Sequence, residues 1–221
     1  MVSVWFIRSG LVMRSMFVLF MLFIAAPASV WAESRVTHDS LTNFDSIRLD
    51  GSDRIVLRVG PEFSVVTAGE QADLNLLTMA VANRTLKVGR RSKHTSSFRP
   101  VTVEVTMPQI KSVEVTGSGT VNIMDADGDI INLAVSGSGS IIAAGNARFL
   151  DVSVSGSGTI DSLAMQADRL NVSNAGSGAI EAAASGAVTI SSPGSGTVRV
   201  SGTRQCSVSG RGTGTVHCGP T

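Results

Sequence analysis

The chain of 221 residues has no tyrosine, and both of its tryptophans, Trp5 and Trp31, fall within the first 32 residues. Beyond them the only aromatic side chains are Phe44, Phe63, Phe98 and Phe149. Sugar-binding and protein-binding surfaces usually lean on Tyr and Trp, which combine large area with a polar tip. Their scarcity argues against a tight carbohydrate site and predicts a thin aliphatic core of Val, Ile, Leu and Ala. Histidine is also scarce. His38, His94 and His217 are scattered along the chain, at spacings that suit neither a metal site nor a catalytic triad. Charge of one sign is missing too. Without residues 1–32, which carry Arg8 and Arg14, 16 basic residues face 17 acidic ones. That balance gives no broad basic field for nucleic acid or anionic membrane. The one local basic cluster, Arg90-Arg91-Ser92-Lys93-His94, is flanked by Gly89 and Ser96-Ser97 and reads as an exposed loop.

Long apolar runs are confined to the start. Arg8 and Arg14 precede an uncharged apolar stretch from Met16 to Ala26, and Val30-Trp31-Ala32 supplies small residues for signal peptidase. Residues 1–32 are therefore read as a signal peptide, with Met1 or Met13 as the start of translation. The run before Pro27 is short for about 30 Å of hydrocarbon, and no cysteine stands near the cleavage site to carry a lipid. An exported protein follows, periplasmic in the first reading and secreted or surface-bound in the second, with no stable membrane insertion after cleavage.

What the sequence has in abundance is a repeat. Gly-Ser-Gly begins at Gly117, Gly137, Gly156, Gly176 and Gly194, and Gly-Thr-Gly at Gly212, with spacings of 20, 19, 20, 18 and 18 residues. The second glycines are Gly119, Gly139, Gly158, Gly178, Gly196 and Gly214. Four residues before each corner stand Val113, Leu133, Val152, Val172, Ile190 and Val208; four after it stand Val121, Ile141, Ile160, Ile180, Val198 and Val216. Even offsets are apolar and odd offsets mostly Ser, Thr, Asn, Asp and Arg, the period of two that marks strands with one buried face. Repeats of this length mean stacked supersecondary units. The fold class is all-β, a single-chain parallel β-helix or β-solenoid with a glycine corner in each coil. Coils stack about 4.8 Å apart, which leaves little room for a Cβ at a repeated corner, and glycine also reaches the positive φ of sharp bends. The corner serines are expected to form a hydrogen-bonded ladder.

The predicted organisation is a lead over 33–43 and one solenoid domain over 44–220, with irregular first coils and a cap over 44–110 and regular repeats over 111–220. Strands are expected around Ile47, Ile55, Val65-Val66, Thr85 to Val88 and Val101 to Val105, and a short helical turn within Leu74 to Ala82. Free strand edges at the ends leave edge-mediated association open, but the irregular N-terminal half and a closed last coil favour a monomer.

Cys206 and Cys218 lie six residues before and six after Gly212, so two strands folded at that corner would face both inward. In an exported protein this predicts a disulfide, because a redox-active pair would want Cys-x-x-Cys spacing. Asp125, Asp127 and Asp129, in Asp-Ala-Asp-Gly-Asp, are the calcium candidates. The glycine is misplaced for an EF-hand and no bidentate glutamate follows, so a solvated turn between coils is the preferred reading. The Gly-x-Gly motifs lead into strands rather than a helix N-terminus, which argues against a nucleotide site. No corner serine sits in Gly-x-Ser-x-Gly. No catalytic residue and no cofactor is assigned.

Phe44-x-x-Ile47, Asn83-x-Thr85-Leu86, Val103-x-Val105-x-x-Pro108, the serial Val-x-Val-x-Gly-Ser-Gly units and the ending Gly219-Pro220 resemble the head GIN domain proteins, a group labelled auto-transporter adhesins. The resemblance covers residues 44 to 220. It implies a single-chain parallel β-helix, right-handed, in bacterial envelopes, with no established catalytic residues or ligand. Unlike a self-exporting autotransporter, the sequence has no β-barrel translocator. The functional expectation is a non-enzymatic envelope binding or scaffolding protein that presents a Ser/Thr-rich β-surface to an unknown envelope or surface component. The alternatives are a surface adhesin and a degenerate polysaccharide-acting enzyme.

Overall fold

Alternation of apolar and polar residues persists almost without a break from Ser46 to Gly219, and the chain answers it with strands. A computed structural model describes residues 34–91, 99–210 and 212–220. The predicted signal peptide and residues Ser92 to Phe98 of the predicted basic loop lie outside them. The strands are β1 (Ser34–Thr37), β2 (Ser46–Gly51), β3 (Arg54–Val59) and β4 (Ser64–Gly69); a one-turn helix α1 (Gln71–Leu74) leads to β5 (Leu77–Ala82), β6 (Thr85–Arg90), β7 (Thr102–Met107) and β8 (Ser112–Gly117). Three long strands follow, β9 (Thr120–Val135), β10 (Ser140–Val154) and β11 (Thr159–Asn174), then β12 (Ala179–Ala184), β13 (Val188–Ser191), β14 (Thr197–Ser201), β15 (Cys206–Ser209) and β16 (Thr215–Gly219).

Together they make a β-solenoid of about five turns. One face, here called the front, runs β7-β3-β9-β10-β11-β12-β14-β16; the back runs β6-β2-β8-β9-β10-β11-β13-β15. The long strands serve both faces because they bend without losing their ladder. Asp125 takes φ 55° and Gly145 φ 137° at the bend, and the register slips between Ile142 and Ala144 and between Ser162 and Ala167. Buried Ala126, Ala147, Ala167 and Ala184 line the inside of that edge, where larger side chains would hold the faces apart.

The core is the aliphatic column set that the offsets predict. Val113, Val152, Val172, Ile190, Val121, Ile141, Ile180 and Val198 are all fully buried. Each such side chain contributes about 1.5–3 kcal/mol by leaving water, but only because its neighbours above and below complete the burial.

Three features depart from the sequence reading. Stack order is not chain order: β2 lies between β6 and β8, with Ile47 opposite both Leu86 and Val113, and β3 lies between β7 and β9. The coil that comes first in sequence is thus second in the stack. The cap, moreover, is antiparallel, with β4 on β7, β1 on β4 and β5 on β6. Phe44 and Phe63 pack beneath it at 5.0 Å between ring centroids. Finally, the helical turn expected within Leu74 to Ala82 stops at Leu74, and Leu77–Ala82 is a strand. The run Leu-Thr-Met-Ala-Val-Ala suits either state locally. Pairing with β6 across the Asn83-Arg84 turn, both residues at positive φ, decides it.

Candidate functional site

The corner edge is the most regular surface of the molecule, and its backbone explains it. In the five Gly-Ser-Gly corners the N–H groups of the serine and the second glycine both donate to the carbonyl oxygen of the first glycine one coil earlier, whereas at Gly212-Thr213-Gly214 the Gly214 N–H reaches Gly194 at 3.3 Å without the threonine's help. Ser118 and Gly119 reach the Gly51 oxygen at 2.9 and 2.7 Å, Ser138 and Gly139 reach Gly117 at 2.8 and 2.8 Å, and Ser195 and Gly196 reach Gly176 at 3.1 and 3.1 Å. This close approach is why glycine is required. A Cβ on Gly156 would stand 2.2 Å from the Gly137 oxygen, and one on Gly158 2.4 Å from that of Gly139. Positive φ matters less than expected: among the corner glycines only Gly51 and Gly117 adopt it. The expected serine ladder is correspondingly sparse. Ser177 and Ser195 share one bond of 3.0 Å between hydroxyls, and the corner is held by main-chain donors instead.

The back face carries two columns of small, mostly polar side chains in strict register. One runs Asn132, Asp151, Asn171, Thr189, Ser207; the other runs Ala134, Ser153, Ser173, Ser191, Ser209. Rungs lie about 4.8 Å apart, so the lower back face is a regular lattice of hydroxyl and amide groups with one carboxylate, Asp151. The front face is more mixed. Ile142 and Leu163 are exposed there, and Arg199 pairs with Glu181.

At the cap the corner pattern changes from Gly-Ser-Gly to Gly51-Ser52-Asp53. Asp53 is fully buried. Its carboxylate accepts from the Val101 N–H at 2.9 Å and from Arg90 Nε at 2.9 Å. Arg90 also donates to Asp73 at 3.3 Å and to the Arg99 carbonyl at 2.9 Å. The Arg90 side chain is 6% exposed, which corrects its assignment to a solvated basic loop. Hydrogen bonds to Asp53 hold its guanidinium even more firmly protonated than usual, against the opposing effect of burial. Outside this network Arg48 pairs with Asp50 at 3.0 Å and Glu114 at 3.2 Å. Between them opens a cavity of about 720 Å³ lined by Arg48, Asp50, Ser52, Thr78, Arg90 and Ser118. Sequence reasoning missed this site, although the aspartate in place of a corner glycine was its visible signal.

The other predicted residues fall elsewhere. Asp125, Asp127 and Asp129 are exposed within β9, at the bend between the two faces of one coil rather than in a turn between coils. Asp129 faces Arg148 at 3.3 Å, both about three-quarters exposed. Among the described residues no three His, Cys, Asp or Glu side chains are grouped to hold a metal ion. Cys206 and Cys218 form a disulfide that joins β15 to β16 in the last coil. His38 bonds the Thr67 hydroxyl at 3.1 Å, His217 is exposed on β16, and His94 lies outside the described residues.

Solved structures share this architecture. A "putative adhesin" from Bacteroides fragilis matches at 18% identity with a TM-score of 0.69, over 85% of this chain and 97% of its own. A "putative lipid binding protein" from Parabacteroides distasonis matches at 18% identity and TM-score 0.53, over 84% and 96% of the two chains. A "putative adhesin" from Parabacteroides merdae matches at 17% and 0.51, over 86% and 96%. Identities this low establish a common fold. No curated protein matches the chain. The family profile described as "Putative auto-transporter adhesin, head GIN domain" matches residues 43–219, nearly the whole solenoid, and the chain belongs to that family.

Proposed function

We propose that this is an exported, non-enzymatic binding or scaffolding protein of the cell envelope, which docks another envelope component on its back face. The observation that carries the reading is the lattice from Asn132 to Ser209. Its side chains are short, mostly uncharged and in register across five coils. Such a surface has little side-chain entropy to lose on docking, and it offers donors and acceptors at a fixed spacing. The sequence features that support export are the charged start, the apolar run and the small residues ending at Ala32. Membership of a family named for adhesion agrees with a binding role. Among the described residues no helix is long and apolar enough to cross a membrane. Affinity capture from envelope extract, with the tagged protein as bait, should recover a specific partner; recovery of none would count against the reading.

The family description favours a second reading, a surface adhesin. Protease treatment of intact cells, against cells with an opened outer membrane, separates the two. Digestion in intact cells, through an inserted cleavage site, supports the adhesin. Protection until the membrane is opened supports a periplasmic partner.

A further inference from the structure

The coils are not equal in length, and the difference falls at the bend edge. The coil that holds β11 spans 20 residues from corner to corner and the next spans 18, the largest change between successive coils. Ser162 pairs with Ala182 and Ala167 with Ala184, so residues 163–166 of β11 stand against Ala183 alone. Ala164, Met165 and Gln166 have register partners above in Ala144, Gly145 and Asn146, but none below in β12. The Leu163 N–H donates to the Asp161 carboxylate at 3.1 Å. A cavity of about 270 Å³ lies at this interruption of the ladder, with Leu163, Ala167, Ala183 and Ala184 among its walls. Leu163 is 42% exposed. A second cavity, of about 380 Å³, shares Gln166 and Asp168 with the first. Its walls carry three carboxylates, Asp127, Asp129 and Asp168, against one cation, Arg148. Arg148 pairs with Asp129, and neither Asp127 nor Asp168 has an ion-pair partner among the described residues.

We infer that this step in the bend edge docks an extended peptide segment of a partner protein, one that carries an aliphatic side chain beside basic ones. It is a second surface, and it does not depend on the back-face reading. Three features select the occupant. An interrupted parallel ladder gives an extended main chain a strand to lie against, which is how peptides add to sheets. The cavity at the interruption has leucine and alanine walls, which suit an aliphatic side chain. The unpaired carboxylates of the adjoining cavity complement lysine or arginine and disfavour an anion. That last feature excludes the head group of an anionic lipid. A glycan is the poorer match as well, since no aromatic ring lines either cavity. A short segment alone binds weakly, on the order of millimolar.

The test is an amide NMR titration of the purified protein with three blocked tetrapeptides, Leu-Lys-Val-Lys, Leu-Glu-Val-Glu and Ser-Lys-Ser-Lys. The expected result is a saturable shift of the amide signals of residues 163–168 and 183–185 with Leu-Lys-Val-Lys, weakened by added salt. Asp127→Asn with Asp168→Asn should lower that affinity by about 2- to 10-fold, the effect of two exposed charge pairs, at an unchanged unfolding midpoint. No shift at the step, or shifts confined to another surface, overturns the proposal. An equal response to Ser-Lys-Ser-Lys overturns it too, because charge alone then accounts for binding. An equal response to Leu-Glu-Val-Glu, or full affinity in the double variant, overturns the assignment of a basic partner. Envelope capture with the same double variant separates the two surfaces: a partner held by the back face is retained.

Discussion

At the residue scale, single atoms decide what the repeat tolerates. Gly156→Ala places a methyl 2.2 Å from a backbone oxygen that cannot swing away. It should cost about 3 kcal/mol, the upper end of overpacking penalties. Gly219→Ala, whose Cβ would meet nothing within 4 Å, should fall within about 0.5 kcal/mol of wild type in the same urea titration. Asp45 supplies a second residue-level prediction. Burial pushes its carboxyl up, but hydrogen bonds from Lys111, Arg84 and Ser46, with the charge of Lys111, outweigh that and hold it below its ordinary value of 3.8. A depressed folded-state value contributes stability above the unfolded one, and that contribution is lost as pH falls through the folded one. Asp45→Asn should therefore be less stable than wild type at pH 7, and the gap should narrow from about pH 5 downward. A gap that stays constant into acid would refute the assignment. The Asp45 contacts were not legible in the sequence, because Arg84 and Lys111 are brought to it only by the non-sequential stacking of β2 between β6 and β8.

At the element scale, regular coils were readable and irregular ones were not. The inward positions of β10 through β14 follow from offsets around each Gly-Ser-Gly, because every coil meets the same neighbours. The strand β5 was open to misreading, since its alternation covers only six residues and its partner β6 enforces it. Asp125 at φ 55° bends β9 without ending it, and no residue pattern distinguishes such a bend from a turn between coils. The last coil was legible from the Gly212 corner with Val208 and Val216 at its apolar offsets, and its disulfide from the cysteine spacing around that corner. Strands β15 and β16 each have a partner on one side only, and Val208 and Val216 are only partly buried there. The Cys206–Cys218 bond holds that end together. Replacing both cysteines by serine should cost about 3 kcal/mol on the chain-entropy account of a 12-residue separation. Hydrogen exchange should then rise first in β15 and β16, with β10 and β11 still protected. Uniform loss of protection would mean that the solenoid opens as one unit.

At the scale of the whole molecule, the repeat stated the architecture, and the cap hid the order of the stack. Nothing in residues 44–110 announces that β6 and β7 lie outside β2 and β3, since all four strands carry the same alternation. The aspartate in Gly51-Ser52-Asp53 marks the boundary: it can carry a side chain because no glycine corner sits directly on it, and Arg90 fills the space. Of the two long faces the back is the more uniform in side-chain type. The claim that the back face docks an envelope component is tested most directly by capture with two charge-bearing variants. Ser173→Arg with Ser191→Arg breaks the back lattice; Thr159→Arg with Thr197→Arg adds the same charge to the front. With unfolding midpoints matched to wild type, the back-face pair should lose the captured partner and the front-face pair should keep it. Equal capture by both, or loss with the front-face pair alone, would contradict the account.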